Sequence, residues 1–300
     1  MGCFVVSKPS KRMIRAGLIS EFEGIFRCPI CFSQMRLVQY KSLRCNQNHC
    51  FDLSKQGYVN VLSVASKTKY DKRMFESRRV IYQSGFFEPM YAMICNKIID
   101  ERVTKREPIK ILDAGCGEGS HLHNIQQGIE PHTSVPLLAV GMDISKTGIR
   151  HAAMEYPNAI WCVADLANSP FDNEQFNTIL NILSPANYSE FKRMITDDGM
   201  VIKVIPGRGY LKELRSVLYE GTNKQVYVND SAALDHFQDH FELRDVQRVQ
   251  YGFQLDEMQL QSLLHMTPLS WGTTEERLRE AQEWKMKEIT IDLTVLYGRK

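Results

Sequence analysis

The chain contains 300 residues, of which 43% are hydrophobic and 24% are charged. These proportions are typical of a folded globular protein and exclude a disordered, collagen-like or coiled-coil chain. Apolar runs reach about six residues, whereas a membrane-spanning helix needs about 20, so we expect no transmembrane helix. The N-terminal residues lack the basic and long apolar regions of a signal peptide, which predicts a cytoplasmic protein with reduced cysteines.

Charge is distributed unevenly along the chain. Residues 1–80 carry 15 Lys and Arg against 5 Asp and Glu, a net charge of +10, whereas residues 81–300 carry a net charge of −8. A basic segment on an acidic body indicates a region that binds a polyanion. A small N-terminal segment that is basic without having such a partner would show the same imbalance, so charge alone leaves both interpretations open.

Residues 1–25 show no clear periodicity and are interpreted as a tail, after which a cysteine cluster begins. Cys28 and Cys31 have a spacing that lets one tight turn direct both sulfur atoms to a single ion. Cys45 supplies a third ligand, and the residues alone leave the fourth open between His49 and Cys50. Thiolate and imidazole ligands favour zinc. A redox Cys-x2-Cys motif is the alternative, but no thioredoxin-like strand precedes it.

Four candidate ligands indicate a structural zinc ion, because a catalytic ion would keep an open coordination position. The cysteine-bearing segment is too small to bury a core of its own, so metal binding would supply its folding free energy. We therefore expect a chelator to unfold residues 25–62 and to leave the rest of the chain folded.

Beyond the cysteine cluster, the pattern changes to an alternation of apolar strands and helices. A short strand at 58–62 and a basic linker at 66–80 precede a helix at 87–106. Strands are predicted at 109–113, 136–143, 159–165, 176–182, 199–205, 241–249 and 288–298, and further helices at 146–156, 189–196 and 210–219. Apolar strands that alternate with helices predict an α/β fold with a doubly wound, mostly parallel sheet.

The first strand of this region runs into Asp113 and then into three glycines at alternate positions, Gly115, Gly117 and Gly119. Glycines let the backbone turn sharply and approach a ligand, with the N-terminus of the next helix directed at it. Loops that bind the pyrophosphate of a dinucleotide space their glycines G-x-G-x-x-G. The glycines here are spaced more tightly, as G-x-G-x-G. Asp113 would repel a pyrophosphate but can hold an ammonium group. Both features favour S-adenosylmethionine over NAD.

Two further aspartates end the next two predicted strands. Asp143 could accept hydrogen bonds from both ribose hydroxyls, and Asp165 could accept one from the adenine amino group. Either residue alone could be a capping or solvated loop carboxylate. Because the carboxyl ends of parallel strands meet at one edge of a sheet, the three aspartates together indicate a single crevice.

Several motifs occur in an order that resembles the RlmA-type 23S rRNA guanine-N1 methyltransferases, from about residue 26 to the C-terminus. They are Cys28-Pro29-x-Cys31, Cys45-x3-His49-x-Phe51-Asp52, Lys55-x-Gly57-Tyr58-Val59-Asn60 and Leu112-Asp113-x-Gly115-Cys116-Gly117-Glu118-Gly119. The stretch at 70–78 resembles the Gram-positive subtype linked to macrolide resistance. The resemblance implies methyl transfer to N1 of a guanine in a hairpin loop of domain II of 23S rRNA.

The resemblance also assigns residues and domains. It implies His49 as the fourth zinc ligand and adds cofactor contacts at Phe87, Gly117, Glu118 and Tyr210. The expected fold is a Rossmann-like class I methyltransferase domain, with seven strands, behind a small zinc-binding domain. The expected segments are a tail at 1–25, a zinc-binding RNA-recognition domain at 26–64, a basic linker with helices at 65–106 and the methyltransferase domain at 107–300. No membrane partner is expected, and a homodimer is kept as one option.

Guanine N1 carries a proton and is paired in a duplex, so the target base must be unpaired or flipped out. The methyl sulfonium is a strong electrophile, so the protein mainly has to align N1 with it and to assist loss of the proton. Asp165 and Asn181 are the candidates for that assistance, although an ordinary loop position is the preferred interpretation of Asn181. Arg73, Arg78 and Arg79 are expected to contact phosphates. The double change Arg78→Ala with Arg79→Ala should then weaken RNA binding only.

Two other classes of function are alternatives to an RNA methyltransferase. One is a small-molecule methyltransferase whose zinc site is purely structural, which an acidic N-terminal third would support. The other is a zinc-containing RNA-binding module with a degenerate cofactor domain, which a broken glycine loop would support. The basic N-terminal third and the intact glycine loop favour the RNA methyltransferase over both.

Overall fold

The computed structural model describes residues 10–62, 71–222, 230–283 and 288–300. The first nine residues of the predicted tail and residues 63 and 64 of the predicted zinc domain lie outside the described residues. So do residues 65–70 of the predicted linker, including Lys67, Lys69 and Tyr70. Residues 223–229 and 284–287 of the predicted methyltransferase domain also lie outside the described residues.

The N-terminal part consists of a helix and a small sheet. Helix α1 (Lys11–Glu21) precedes strands β1 (Met35–Val38), β2 (Ser42–Cys45) and β3 (Cys50–Asp52), which form an antiparallel sheet in the order β1-β2-β3. The sequence interpretation of residues 1–25 as a tail missed helix α1. The helix places Arg15 and Ile19 on its buried face, and a charged residue at a buried position hides the apolar periodicity that sequence patterns depend on.

Arg15 anchors α1 to the rest of the fold. Its side chain is completely buried, and its guanidinium donates to the carbonyl oxygens of Ala153 at 2.6 Å, Tyr156 at 2.8 Å and Ala159 at 3.2 Å, and also to that of Gln56. Burial lowers the pKa of Arg15 to about 10. The charge is therefore held by main-chain oxygens from two distant segments.

The main sheet contains the seven strands predicted after residue 107 and, in addition, the short strand predicted at 58–62. Its strands are β4 (Val59–Asn60), β5 (Ile109–Ala114), β6 (Leu137–Asp143), β7 (Ile160–Val163), β8 (Phe176–Ile182), β9 (Ile195–Pro206), β10 (Glu242–Gln254) and β11 (Glu288–Arg299). Their order is β10-β11-β9-β8-β5-β6-β7-β4. All pairings from β9 to β4 are parallel, and β11 is antiparallel to both of its neighbours. The eighth strand, β4, belongs to the cysteine-bearing residues 25–62, called the zinc segment below, and extends the sheet from them.

Burial explains why these strands were predictable. Every residue of the central strand β8 is buried, as expected of a parallel strand covered on both faces. The edge strand β10 instead alternates between exposed and partly buried residues over its whole length. Each pattern matches the position of its strand in the sheet.

Helices cover both faces of the sheet. They are α2 (Lys72–Gln83), α3 (Glu88–Arg102), α4 (Ser120–Ile129), α5 (Lys146–Glu155), α6 (Tyr188–Met194), α7 (Lys212–Leu218), α8 (Asp230–Gln238), α9 (Glu257–Met266) and α10 (Glu275–Glu283). One hydrophobic core joins the sheet to α2, α3, α4, α5, α7, α9 and α10, and a second joins it to α1, α6, α8 and the small sheet. This doubly wound arrangement places the carboxyl ends of the parallel strands at one edge, where ligands bind in such folds.

Candidate functional site

The structure brings together the four predicted zinc ligands. The Sγ atoms of Cys28, Cys31 and Cys45 and the Nδ1 atom of His49 all lie within 4.8 Å of one another. Cys31 Sγ is 3.6 Å from Cys45 Sγ, and His49 Nδ1 lies 3.5 Å from Cys28 Sγ and 3.4 Å from Cys45 Sγ. Zinc bonds of about 2.3 Å to sulfur and about 2.0 Å to nitrogen in a tetrahedron require separations of about 3.5–3.8 Å. The donor set therefore fits a zinc ion.

Cys50 takes no part in this cluster. Its side chain is exposed, and its Sγ lies 4.0 Å from Asp52 Oδ1. A tight turn supports each half of the cluster, with a left-handed residue at Phe32 (φ 60°) after the first pair and at Asn48 (φ 64°) before His49. The geometry thus favours the histidine over the cysteine that follows it.

The zinc segment docks on the loop that follows β7. The backbone N–H of Arg27 donates to Pro170 O at 3.0 Å, and that of Asp172 donates to Ile25 O at 2.8 Å. Asn168 Nδ2 donates to the carbonyl oxygen of Pro29, inside the first cysteine pair, at 3.0 Å. The metal centre is therefore attached directly to the loop at residues 165–172, and Asp165 is the first residue of that loop.

A cavity of about 720 Å³ lies at the carboxyl ends of strands β5 to β9. Seven of the nine predicted cofactor residues line it: Phe87, Gly115, Gly117, Glu118, Asp143, Asp165 and Tyr210. Asp113 and Gly119 are not part of its lining. Asp113 is buried at the end of β5, and Gly119 is the N-terminal cap of α4.

The glycine loop adopts the conformation that its sequence predicts. Gly115, Gly117 and Gly119 have φ values of 89°, 58° and 87°, in the left-handed region that favours glycine. A Cβ atom on Gly119 would lie 2.5 Å from the Trp161 ring, and one on Gly115 would lie 2.7 Å from Ser184 Oγ. Gly119 thus allows helix α4 to pack closely against the sheet. Gly115 allows the glycine loop to lie close to the loop that follows β8.

Three carboxylates surround this loop. The Oδ2 and Oδ1 atoms of Asp143 accept hydrogen bonds from the backbone N–H groups of Gly117 at 2.8 Å and Ser145 at 2.7 Å. A carboxylate oxygen has two lone pairs, so each oxygen of Asp143 can accept one further donor, which fits two ribose hydroxyls.

The other two carboxylates, Asp113 and Glu118, are buried. Burial raises the pKa values of Asp113, Glu118 and Asp143, and the neighbouring acids add to the effect at Asp113. Among the described residues, Asp113 Oδ2 has no hydrogen-bond partner. A buried acidic cluster with an unsatisfied oxygen suits a positively charged ligand, and S-adenosylmethionine carries both an ammonium and a sulfonium group.

An aromatic wall that the sequence did not predict closes the cavity near Phe87. The ring of His121 lies 4.5 Å from that of Tyr82, and His121 Nδ1 is 2.9 Å from the hydroxyl oxygen of Tyr91. Burial lowers the pKa of His121 to about 3, so the imidazole is neutral. Only the convergence of α2, α3 and α4 reveals this wall, because its residues are far apart in the chain.

Arg78 lies in the cavity wall instead of on an outer surface. Its guanidinium carbon is 5.6 Å from the centre of the Phe75 ring, and a Cβ atom on Gly117 would lie 3.2 Å from its Nη1. Arg79 is half-exposed and forms an ion pair with Glu155 at 3.1 Å. This placement disagrees with the expectation that removing both arginines would leave cofactor affinity unchanged.

Comparisons with known proteins agree with this description. Residues 26–69 match the zinc-ribbon family model described as RlmA, N-terminal, and residues 111–199 match a methyltransferase domain. YxjB of Bacillus subtilis, whose name assigns it to the 23S rRNA (guanine-N(1)-)-methyltransferases, is 41% identical over 279 residues, 92% of this chain and 98% of that protein. The 23S rRNA (guanine(748)-N(1))-methyltransferase of Streptomyces fradiae is 28% identical over 272 residues, 89% of this chain and 94% of that protein.

In the described ranges, no helix has the length and apolar character needed to cross a membrane. The methyltransferase domain and the zinc ribbon make S-adenosylmethionine and zinc the cofactors of this enzyme. Similarity to YxjB extends over nearly the whole of both chains. The protein therefore belongs to the RlmA-type family of 23S rRNA (guanine-N1)-methyltransferases.

Proposed function

We propose that this enzyme methylates N1 of a guanine in a hairpin loop of domain II of 23S rRNA. The observation that carries the proposal is the position of the zinc segment, which is hydrogen-bonded to the same loop, residues 165–172, that lines the cofactor cavity. RNA held by that segment would lie next to the methyl donor. The proposed substrate also implies a cytoplasmic location, while a homodimer and macrolide resistance remain predictions.

The surface of the zinc segment suits single-stranded RNA. Arg36 and Arg44 are exposed and lie directly opposite each other on β1 and β2. Like charges at directly opposed positions destabilise a sheet, so a bound phosphate would relieve this pair. Phe32 and Tyr40 are 58% and 49% exposed nearby in the chain, and exposed aromatic rings next to cations are typical of surfaces on which bases stack.

In the proposal, the cavity residues divide between the two ligands. When bound, S-adenosylmethionine supplies an electrophilic methyl group. Asp143 would hold the ribose hydroxyls, Asp165 the adenine amino group, and the acidic cluster around Asp113 and Glu118 the positively charged amino-acid end. Phe87 and Tyr210 would pack against the cofactor. The target guanine would enter against the loop after β8, which forms another part of the cavity wall.

Asn181 fills a supporting position. Its Nδ2 atom lies 2.7 Å from Ala114 O, 2.7 Å from Ser184 Oγ and 2.9 Å from Pro185 O, and its Oδ1 accepts from Lys203. An amide group has only two N–H donors, so the loop itself uses both of them. We therefore assign Asn181 to holding the loop. Because Asp165 is assigned to the adenine amino group, we expect the N1 proton to pass to water.

The direct test uses an unmodified hairpin fragment of 23S rRNA. The enzyme should transfer one methyl group, and nucleoside mass spectrometry should identify 1-methylguanosine at a position that reverse transcription maps to the loop. Methylation of another atom, or transfer to small molecules but not to the hairpin, would refute the proposal.

RNA binding by the zinc segment is tested separately by salt dependence. The double variant R36Q/R44Q should bind the hairpin more weakly and should reduce the slope of log Kd against log salt by about 1.5, as expected for two lost phosphate contacts. Arg244 is an exposed arginine on β10, the edge strand at the opposite end of the main sheet from β4, so Arg244→Gln is the matched control. An equal slope in both variants would remove this surface from the RNA-binding site.

A further inference from the structure

Lys203 is a charged residue inside the main sheet. It lies on β9 between buried apolar neighbours, its side chain is 8% exposed, and it lines the cavity. Its Nζ donates to Asn181 Oδ1 at 2.5 Å and to Ser184 O at 2.6 Å. An ammonium group has three N–H donors, and the described residues provide no acceptor for the third.

The loop that holds Lys203 is fixed against the glycine loop. Asn181 Nδ2 and Ser184 Oγ both lie within 3.0 Å of Ala114 O, the last residue of β5 before Gly115. Leu183, between them, has a φ of 50°, which is strained for a leucine. The Lys203 ammonium is thus connected to Ala114, where the glycine loop begins, through Asn181, which is hydrogen-bonded to both.

The charge of Lys203 is uncompensated by any acid in the part of the chain that the structure describes. No carboxylate there lies within 4.0 Å of its Nζ, and burial lowers its pKa to about 8. Burying an unpaired ammonium is costly, and such groups are concentrated at functional sites. Glu118 and Asp143 place two acids in the cavity wall, and Lys203 places a cationic group there. An oxygen that gains negative charge during the reaction would accept the third hydrogen bond of the Lys203 ammonium.

We propose that Lys203 donates its third N–H to O6 of the target guanine, an inference that rests on the proposed function. This hydrogen bond would hold the base with N1 toward the methyl donor. As the N1 proton passes to water, negative charge spreads to O6, where the ammonium stabilises it. The N1 lone pair then forms the bond to the methyl carbon, and the carbon–sulfur bond breaks with its electron pair remaining on sulfur. The products are 1-methylguanine, S-adenosylhomocysteine and a hydrated proton.

The test compares Lys203→Met with wild type. Loss of a preorganised donor to a developing oxyanion lowers kcat by about 100-fold or more, so we expect a loss of that size at pH 7 with little change in KM for RNA. The loss in kcat relative to wild type should become smaller as the pH rises toward the pH at which N1 of free guanine ionises. Calorimetry should show an unchanged affinity for S-adenosylhomocysteine. Lys192→Met, an exposed position on α6, is the matched control and should keep full activity.

A purely structural role of Lys203 would lower kcat by the same factor at every pH, and that result would overturn the inference. If Lys203→Met does not fold, wild-type enzyme provides the test through RNA that carries 6-thioguanosine at the target position. Sulfur is a weaker hydrogen-bond acceptor, so kcat should fall even though N1 of thioguanine is more acidic. An unchanged or raised kcat would also overturn the inference. Failure of the proposed function would differ, because wild type would then form no 1-methylguanosine in the hairpin.

Discussion

Removal of zinc should weaken cofactor binding, although the two sites share no residue. Three hydrogen bonds join the zinc segment to residues 165–172, and they involve Arg27 with Pro170, Ile25 with Asp172, and Pro29 with Asn168. The same loop contributes Asp165, Leu166 and Ala167 to the cavity lining. A chelator that unfolds the zinc segment would therefore release one wall of the cavity.

The size of the effect follows from the number of contacts. A typical intramolecular hydrogen bond contributes about 1 kcal/mol, so the three bonds together hold the loop by about 3 kcal/mol at most. Couplings between sites usually amount to about 1–3 kcal/mol, or about 5- to 150-fold in affinity. Because part of the loop remains anchored to β7, we expect the Kd for S-adenosylhomocysteine to rise by about 10- to 100-fold.

Calorimetry can measure this coupling on zinc-loaded, chelated and reloaded protein. Asn168→Ala removes one of the three bonds without touching a metal ligand, so the zinc-loaded variant should lose about fivefold in affinity. Circular dichroism of the chelated protein should show that the methyltransferase domain keeps its helices. Equal affinities with and without zinc would refute the coupling. Complete unfolding on chelation would instead refute the expectation that only residues 25–62 depend on the metal.

Three further predictions concern stability. Arg15→Met should lower the free energy of urea unfolding by about 3 kcal/mol or more, since it leaves buried carbonyl oxygens without a donor; an unchanged unfolding midpoint would contradict the anchoring role. Gly141→Ala should cost about 1–3 kcal/mol by overpacking, because its Cβ would lie 2.2 Å from the Trp161 ring. The double variant Gly141→Ala with Trp161→Phe should lose less unfolding free energy than the two single variants lose in sum. Strictly additive losses would argue against the clash. His121, with a folded pKa of about 3 against an ordinary 6.5, takes up a proton only on unfolding, so its contribution to stability falls as the pH drops below about 6.5. Between pH 7 and 5, wild type should lose about 2 kcal/mol more than His121→Asn, and equal losses would contradict the burial of a neutral imidazole.

The sequence predicted the parallel strands well because their residues are buried on both sides and form unbroken apolar runs. It missed β4 as a part of the main sheet, since a two-residue strand has no periodicity and its pairing with β7 joins residues about a hundred positions apart. It missed α1 for a local reason. Arg15 occupies a fully buried position in that helix, and sequence patterns assign arginine to the surface.

The candidate site was predicted in its glycine loop and aspartates but not in its aromatic wall. Glycine spacing and strand-ending carboxylates are local signals, whereas Tyr82 and His121 reach the cavity from separate helices. Lys203 had a usable signal that the sequence interpretation did not follow. A single lysine within a strand that is otherwise apolar, and predicted to be buried on both faces, has to find oxygen partners inside the protein.

The attachment of the zinc segment bears on how the enzyme selects one guanine. At one end, Phe26 packs against Phe171 with ring centres 5.6 Å apart; at the other, β4 pairs with β7 and the N–H of Val61 donates to Val163 O at 3.0 Å. Both ends are therefore fixed to the segment formed by β7 and its loop. A rigid mount sets a constant distance from the Arg36 and Arg44 pair to the cavity. The duplex stem of an RNA hairpin is recognised largely by its shape, so this distance would help to determine which nucleotide of the loop reaches the methyl donor.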